Sequence, residues 1–190
     1  YGIFGQRYTA EGVITGPEFI VNSQIFDDQI DAQVTGLAGG GFVVSWTDQV
    51  SNADGSSWGT FAQRFGSNGL PVGGEFQVNT TTSSSQQESA IASLNDGGFV
   101  LIWRDDSGAD GSSSGVQGQR FDAAGNPVGA EFQVNTEFAS FQYEPSVSGL
   151  NGGGFVVAWT SYTSGTAGDS SGQGVFAQRY DAAGNPVGSE

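Results

Sequence analysis

Carboxylates are the only side chains in this chain that combine reactive chemistry with regular spacing. After each of three repeated Trp residues comes a polar loop that carries Asp. The first loop holds Asp48 and Asp54, the second Asp105, Asp106 and Asp110, and the third Asp169 alone. A hard cation such as Ca²⁺ takes several oxygen ligands on a flexible backbone, and Asp, Ser and carbonyls near Gly supply them. Asp48, Asp54, Asp105, Asp106 and Asp110 are therefore the candidate metal ligands, and Ca²⁺ is the cofactor they suggest. The second loop is the richest, although its spacing is not that of an EF-hand. Another acid recurs six residues before a repeated Leu: Asp31, Glu88 and Glu144 precede Leu37, Leu94 and Leu150. At the start of a strand it reads as a rim charge or turn acceptor. With no His, Cys or Lys, no nucleophile–base pair can form. Paired carboxylates of the glycosidase kind remain. An acid that recurs in every unit argues against them, since a catalytic pair should be unique, so the expectation is that the chain is not an enzyme.

The elements that must carry these acids are themselves repeated. Gln-Arg occurs at Gln6-Arg7, Gln63-Arg64, Gln119-Arg120 and Gln178-Arg179, in steps of 57, 56 and 59 residues. Gly-Phe and Trp recur at Gly41-Phe42 and Trp46, at Gly98-Phe99 and Trp103, and at Gly154-Phe155 and Trp159. A period of this size is the signature of a repeat architecture whose units shield one another's apolar faces. The pattern divides the chain into the last two strands of a preceding repeat (1–22), repeat one (23–79), repeat two (80–135) and repeat three (136–190, fourth strand incomplete). That makes about three and a third units of an open-ended fragment.

Within a unit, four short segments rich in β-formers are separated by turn signals such as NDGG and AAGNP. The expected fold is all-β: tandem four-stranded antiparallel meanders arranged as β-propeller-like blades. The second segment is nearly continuous in apolar residues, as a strand buried on both faces should be. Phe42, Trp46, Phe99, Trp103, Phe155 and Trp159 are the predicted core. The first segment, with small residues such as Ala90 and Ala92, suits the crowded inner position. Arg and Glu stand 11 residues apart in every copy: Arg7 and Glu18, Arg64 and Glu75, Arg120 and Glu131, Arg179 and Glu190. Across a hairpin these read as repeated ion pairs that set the register.

Twenty acidic residues against five Arg give a net charge of −15. No basic patch can form, so nucleic acid is excluded as a partner. No apolar run is long enough to insert in a membrane as a helix. The lack of Cys and Met fits an oxidising exterior.

The composite DGGFVxxW…GVxGQRFDAAGNPVGxEFQVNT rests on Gly98, Phe99, Trp103, Gln119, Arg120, Gly125, Asn126, Pro127, Glu131, Phe132 and Asn135 and their copies. It resembles the repeats of very large secreted proteins of Gram-negative bacteria, the RTX-type adhesins and related calcium-associated surface proteins. The resemblance implies a secreted or cell-surface setting, Ca²⁺ in the parent protein and no catalytic residues. The function expected on this reading is a non-catalytic structural and interaction module of an adhesin or extracellular filament. Its partners would be neighbouring repeats or identical chains. The alternative is a carbohydrate-binding module that meets surface glycans through Trp58, Phe138, Phe141 and Tyr162.

Overall fold

In the computed structural model the described residues are 2–24, 26–49, 55, 57–111, 113–136, 141–163 and 172–190. They form fourteen strands and no helix. A short pair, β1 (Phe4–Gly5) and β2 (Phe19–Ile20), comes first. Three antiparallel four-stranded sheets follow. The first unit has β3 (Gln29–Gly36), β4 (Phe42–Asp48), β5 (Gly59–Phe65) and β6 (Phe76–Gln77). The second has β7 (Gln86–Ser93), β8 (Phe99–Asp105), β9 (Gly115–Phe121) and β10 (Pro127–Gln133). The third has β11 (Gln142–Gly149), β12 (Phe155–Thr163), β13 (Gly172–Tyr180) and β14 (Pro186–Val187). Spatial order follows chain order in each sheet, so each unit is a meander. The fold is all-β and propeller-like.

The apolar run of β8 shows why these strands need neighbours on both sides. Phe99, Leu101 and Trp103 pack against Val43 and Ala62 of the first unit. The alternate residues Val100 and Ile102 pack against Phe155, Val157 and Trp159 of the third. A strand pleated with period two thus fills two interfaces at once. Trp46, Trp103 and Trp159 are all buried. So are Phe99 and Phe155, while Phe42 is half-buried.

Aromatic rings join the units in a repeated way. Phe42 stacks on Phe65, Phe99 on Phe121 and Phe155 on Tyr180, with centroids 4.9, 5.0 and 4.6 Å apart. Onto each stack leans the Phe of the preceding unit's Glu-Phe pair: Phe19, Phe76 or Phe132, at 5.3 to 5.4 Å. These offset and tilted geometries suit the ring quadrupoles.

The hairpins do not form the expected Arg–Glu pairs. In the second unit Val128 lies opposite Arg120, and the register then shifts before Phe132 meets Gly118. That shift carries Glu131 away from Arg120. The Arg side chains instead reach across unit boundaries. Arg7 donates to the Ser67 carbonyl at 3.1 Å, Arg64 to the Ala123 and Ala124 carbonyls at 2.5 Å each, and Arg120 to Ala183 at 2.7 Å. Arg120 also pairs with Asp96 at 3.2 Å. Each Glu accepts the amide at the start of its own unit: Glu75 that of Ser23 at 2.7 Å, Glu131 that of Thr80, and Glu190 that of Thr136 at 3.0 Å.

The inner strands β3, β7 and β11 lie next to one another. They are the first strands of their sheets, and they position the site.

Candidate functional site

Each inner strand is interrupted at the same place. Between Ile30 and Gln33, Gln87 and Ala90, and Tyr143 and Ser146, the register against the second strand shifts. One extra residue on the inner strand produces a β-bulge. In each bulge the residue that takes positive φ is an acid: Asp31 at 55°, Glu88 at 55° and Glu144 at 52°. An L-residue other than Gly seldom adopts this left-handed conformation, and it costs of the order of 1 kcal/mol or more. Gly would relieve it, yet all three units carry a carboxylate there.

Because the inner strands converge, the three carboxylates do not remain dispersed. Asp31, Glu88 and Glu144 line one open depression of about 400 Å³, with Gln33, Ser89 and Pro145. Arg104 enters from β8. Its Nη1 donates to Glu88 at 3.1 Å, and its Nε donates to Asp106 at 2.8 Å. Burial works against the charge of Arg104, but Asp106 and then Glu88 outweigh it and leave the guanidinium pKa raised. The second oxygen of Glu88 accepts the backbone N–H of Glu144 at 3.0 Å.

Beside Glu144 stands a pair of aromatic rings, Tyr143 and Tyr162, with centroids 5.7 Å apart. Desolvation pushes the Tyr143 phenol pKa up, with the Tyr162 hydrogen bond and the charges of Glu144 and Glu88 adding to it. Phe141 and Tyr162 are exposed, and Trp58 is half-buried. A polar basin with aromatic rings nearby can hold a ring that has an apolar face and hydroxyl edges. Several carboxylates in one basin can also exchange protons with a bound ligand.

The described acids of the polar loops accept hydrogen bonds within the protein. Asp105 is buried, where it accepts the Gln86 Nε2 at 2.9 Å, the Ser107 amide at 3.1 Å and the Ser107 hydroxyl at 2.6 Å. Asp106 accepts from Gln87 at 2.8 Å as well as from Arg104. Asp110 lies within 3.4 Å of the Asn135 side-chain amide, and Asp48 is buried. Asp54, Phe138 and Asp169 lie outside the described residues. Among the described residues, no group of three or more acids, His or Cys is arranged to hold a metal ion.

Sequence reasoning overlooked Gln29, Gln86 and Gln142. All three are buried at the start of an inner strand, and each accepts the side-chain amide of the Asn seven residues earlier: Asn22, Asn79 and Asn135, at 3.1, 3.0 and 3.3 Å. The same Asn residues cap the Ile3, Thr60 and Val116 amides. The constant Asn-to-Gln spacing was the available signal. Arg104 was also missed as a site residue, because it belongs to no repeated pair.

No protein-family model and no curated protein matches the sequence. Solved structures do match the fold. An endo-arabinase from Bacteroides thetaiotaomicron VPI-5482 superposes with a TM-score of 0.50 at 15% identity, over 96% of this chain and 64% of that one. An alpha-L-arabinofuranosidase from Lactobacillus brevis gives 0.53 at 10% identity, over 95% and 67%. A thermostable family-43 glycoside hydrolase gives 0.51 at 12% identity, over 97% and 70%. The chain thus spans about two thirds of the length of these proteins. At such identities the likeness is one of fold.

These matches overturn the expectation of a non-catalytic adhesin or filament module, and with it the exclusion of enzymatic activity. That exclusion rested on the recurrence of an acid in every unit, where a catalytic pair should be unique. Acids that recur once per unit look scattered along a chain, whereas a radial fold gathers one from each unit into a single centre.

Proposed function

We propose that this chain is the propeller portion of a carbohydrate-active protein. A glycan lies across the central depression, with Asp31, Glu88 and Glu144 placed to act on a glycosidic bond. The observation that carries the proposal is the convergence of three carboxylates, each on a strained bulge, at one basin. Strain kept in three copies is ill explained by folding alone. The solved structures that share the fold, named for arabinan cleavage, arabinofuranoside cleavage and glycoside hydrolysis, support the same reading. The Tyr143–Tyr162 ring pair, next in the chain to Glu144, would offer a stacking face.

The chemistry would be hydrolysis. One carboxyl group gives its proton to the leaving oxygen as the anomeric C–O bond breaks. A second carboxylate takes a proton from the water whose oxygen bonds to the anomeric carbon, so that one water is consumed. A secreted or cell-surface setting, as the repeat resemblance implies, would place the protein among polysaccharides.

The test is to incubate the full chain with arabinan and with neutral arabino- and xylo-oligosaccharides, measuring new reducing ends and, by calorimetry, binding. Binding is expected, and Glu144→Gln should lower turnover about 10²- to 10⁴-fold. Absence of both binding and turnover across a broad glycan panel would overturn the proposal.

A further inference from the structure

The three units are near copies except where they surround the depression. The residue facing each bulge from the second strand is Thr47 opposite Ile30, Arg104 opposite Gln87, and Thr160 opposite Tyr143. Only the second unit carries a charge at this position. Arg104 is fixed from one side by Asp106, whose other oxygen is held by Gln87. On its other side it holds one oxygen of Glu88, while the Glu144 amide holds the second. Glu88 is thereby anchored by two units at once. Among the described residues no hydrogen bond or ion pair reaches the carboxylates of Asp31 and Glu144.

We infer that Arg104 is a positioning residue of this site: it makes Glu88 the fixed member of the three acids, while Asp31 and Glu144 keep carboxylates open to the ligand. The inference rests on the functional reading above. A carboxylate that accepts a guanidinium on one oxygen and an amide on the other is fixed in direction. A group that gives and takes protons needs an oxygen open to its ligand. The asymmetry therefore arises from one departure from the repeat.

Arg104→Met and Arg104→Lys in the full chain test this. By NMR, the Glu144 amide proton should move upfield in Arg104→Met and stay near its wild-type position in Arg104→Lys, whether or not any glycan is present. With neutral arabino- and xylo-oligosaccharides, Arg104→Met should lower kcat about 10- to 100-fold with KM altered less than about threefold, and Arg104→Lys should recover most of the loss. An unmoved amide, or a moved amide with unchanged kcat, overturns the inference while the functional reading stands. A wild type that neither binds nor cleaves these sugars removes that reading and the role of Arg104 together. Should Arg104→Met fail to fold, Asp106→Asn loosens Arg104 without removing it; the same two readouts should move the same way by a smaller factor, and their constancy overturns the inference.

Discussion

At the hairpin ends the units repeat the same Gln and Arg contacts. Gln63, Gln119 and Gln178 each donate to the carbonyl of the following Arg, at 2.7 to 2.8 Å. Arg64 and Arg120 each reach the turn of the next unit. Around the inner bulges only the carboxylate and its left-handed backbone recur. The pair that flanks the bulge changes from Ile30 and Gln49 to Gln87 and Asp106 to Tyr143 and Tyr162. Where the molecule is a scaffold, repetition is kept, because each interface must satisfy the same buried groups. Around the depression, where the proposed glycan would lie, repetition is given up.

Substitutions can break or sharpen this contrast. The largest effect is expected from Trp103→Ala, which empties the packing between the first two units. It should cost about 3–5 kcal/mol in a denaturant melt and take any glycan response with it. A loss near zero would mean the repeated Trp does not carry the interface. Arg120→Ala comes next. It removes bonds to Ala183 and Asp96 from a mostly buried side chain, so stability should fall by about 1–3 kcal/mol. Glycan response per folded molecule should be unchanged, and a selective loss of that response would erase the distinction between the two regions.

Asp31→Gly acts in the opposite sense. Relief of the left-handed strain should raise stability by up to about 1 kcal/mol while the glycan response falls. A stability decrease would show that the bulge carries no strain worth relieving. The smallest effect at neutral pH is expected from Tyr180→Phe. Burial, with the Glu190 charge adding to it, pushes the Tyr180 phenol pKa to about 12 from an ordinary 10.0. The fold thus favours the neutral phenol. Its contribution is whole below pH 10 and is lost as pH rises from 10 through about 12. The variant should flatten that alkaline decline in a melting series, and an identical decline in both proteins would assign it elsewhere.

The sheets were legible because the signals that specify them are local. Alternation in Phe99-Val100-Leu101-Ile102-Trp103 and the turns at Asn95-Asp96-Gly97 report strand and hairpin directly. The site was legible only in pieces. Asp31, Glu88 and Glu144 were visible as a recurrence, but their meeting depends on how whole units pack, which no single unit encodes. The Arg–Glu hairpin pair failed because a register shift within β10 cannot be counted from loop length. The Asp105 loop reads as a metal cradle in composition. Buried Gln86, outside that loop, and Ser107 within it donate to the Asp105 carboxylate.

The reach of Arg64 and Arg120 to the turn of the following unit lets each block dock on the next in the same way. A gene segment copied in tandem would therefore encode a new block that fits its flanks at once, without compensating changes. Lineages built on this plan can lengthen by duplication first and diversify the interior later, one inner strand at a time.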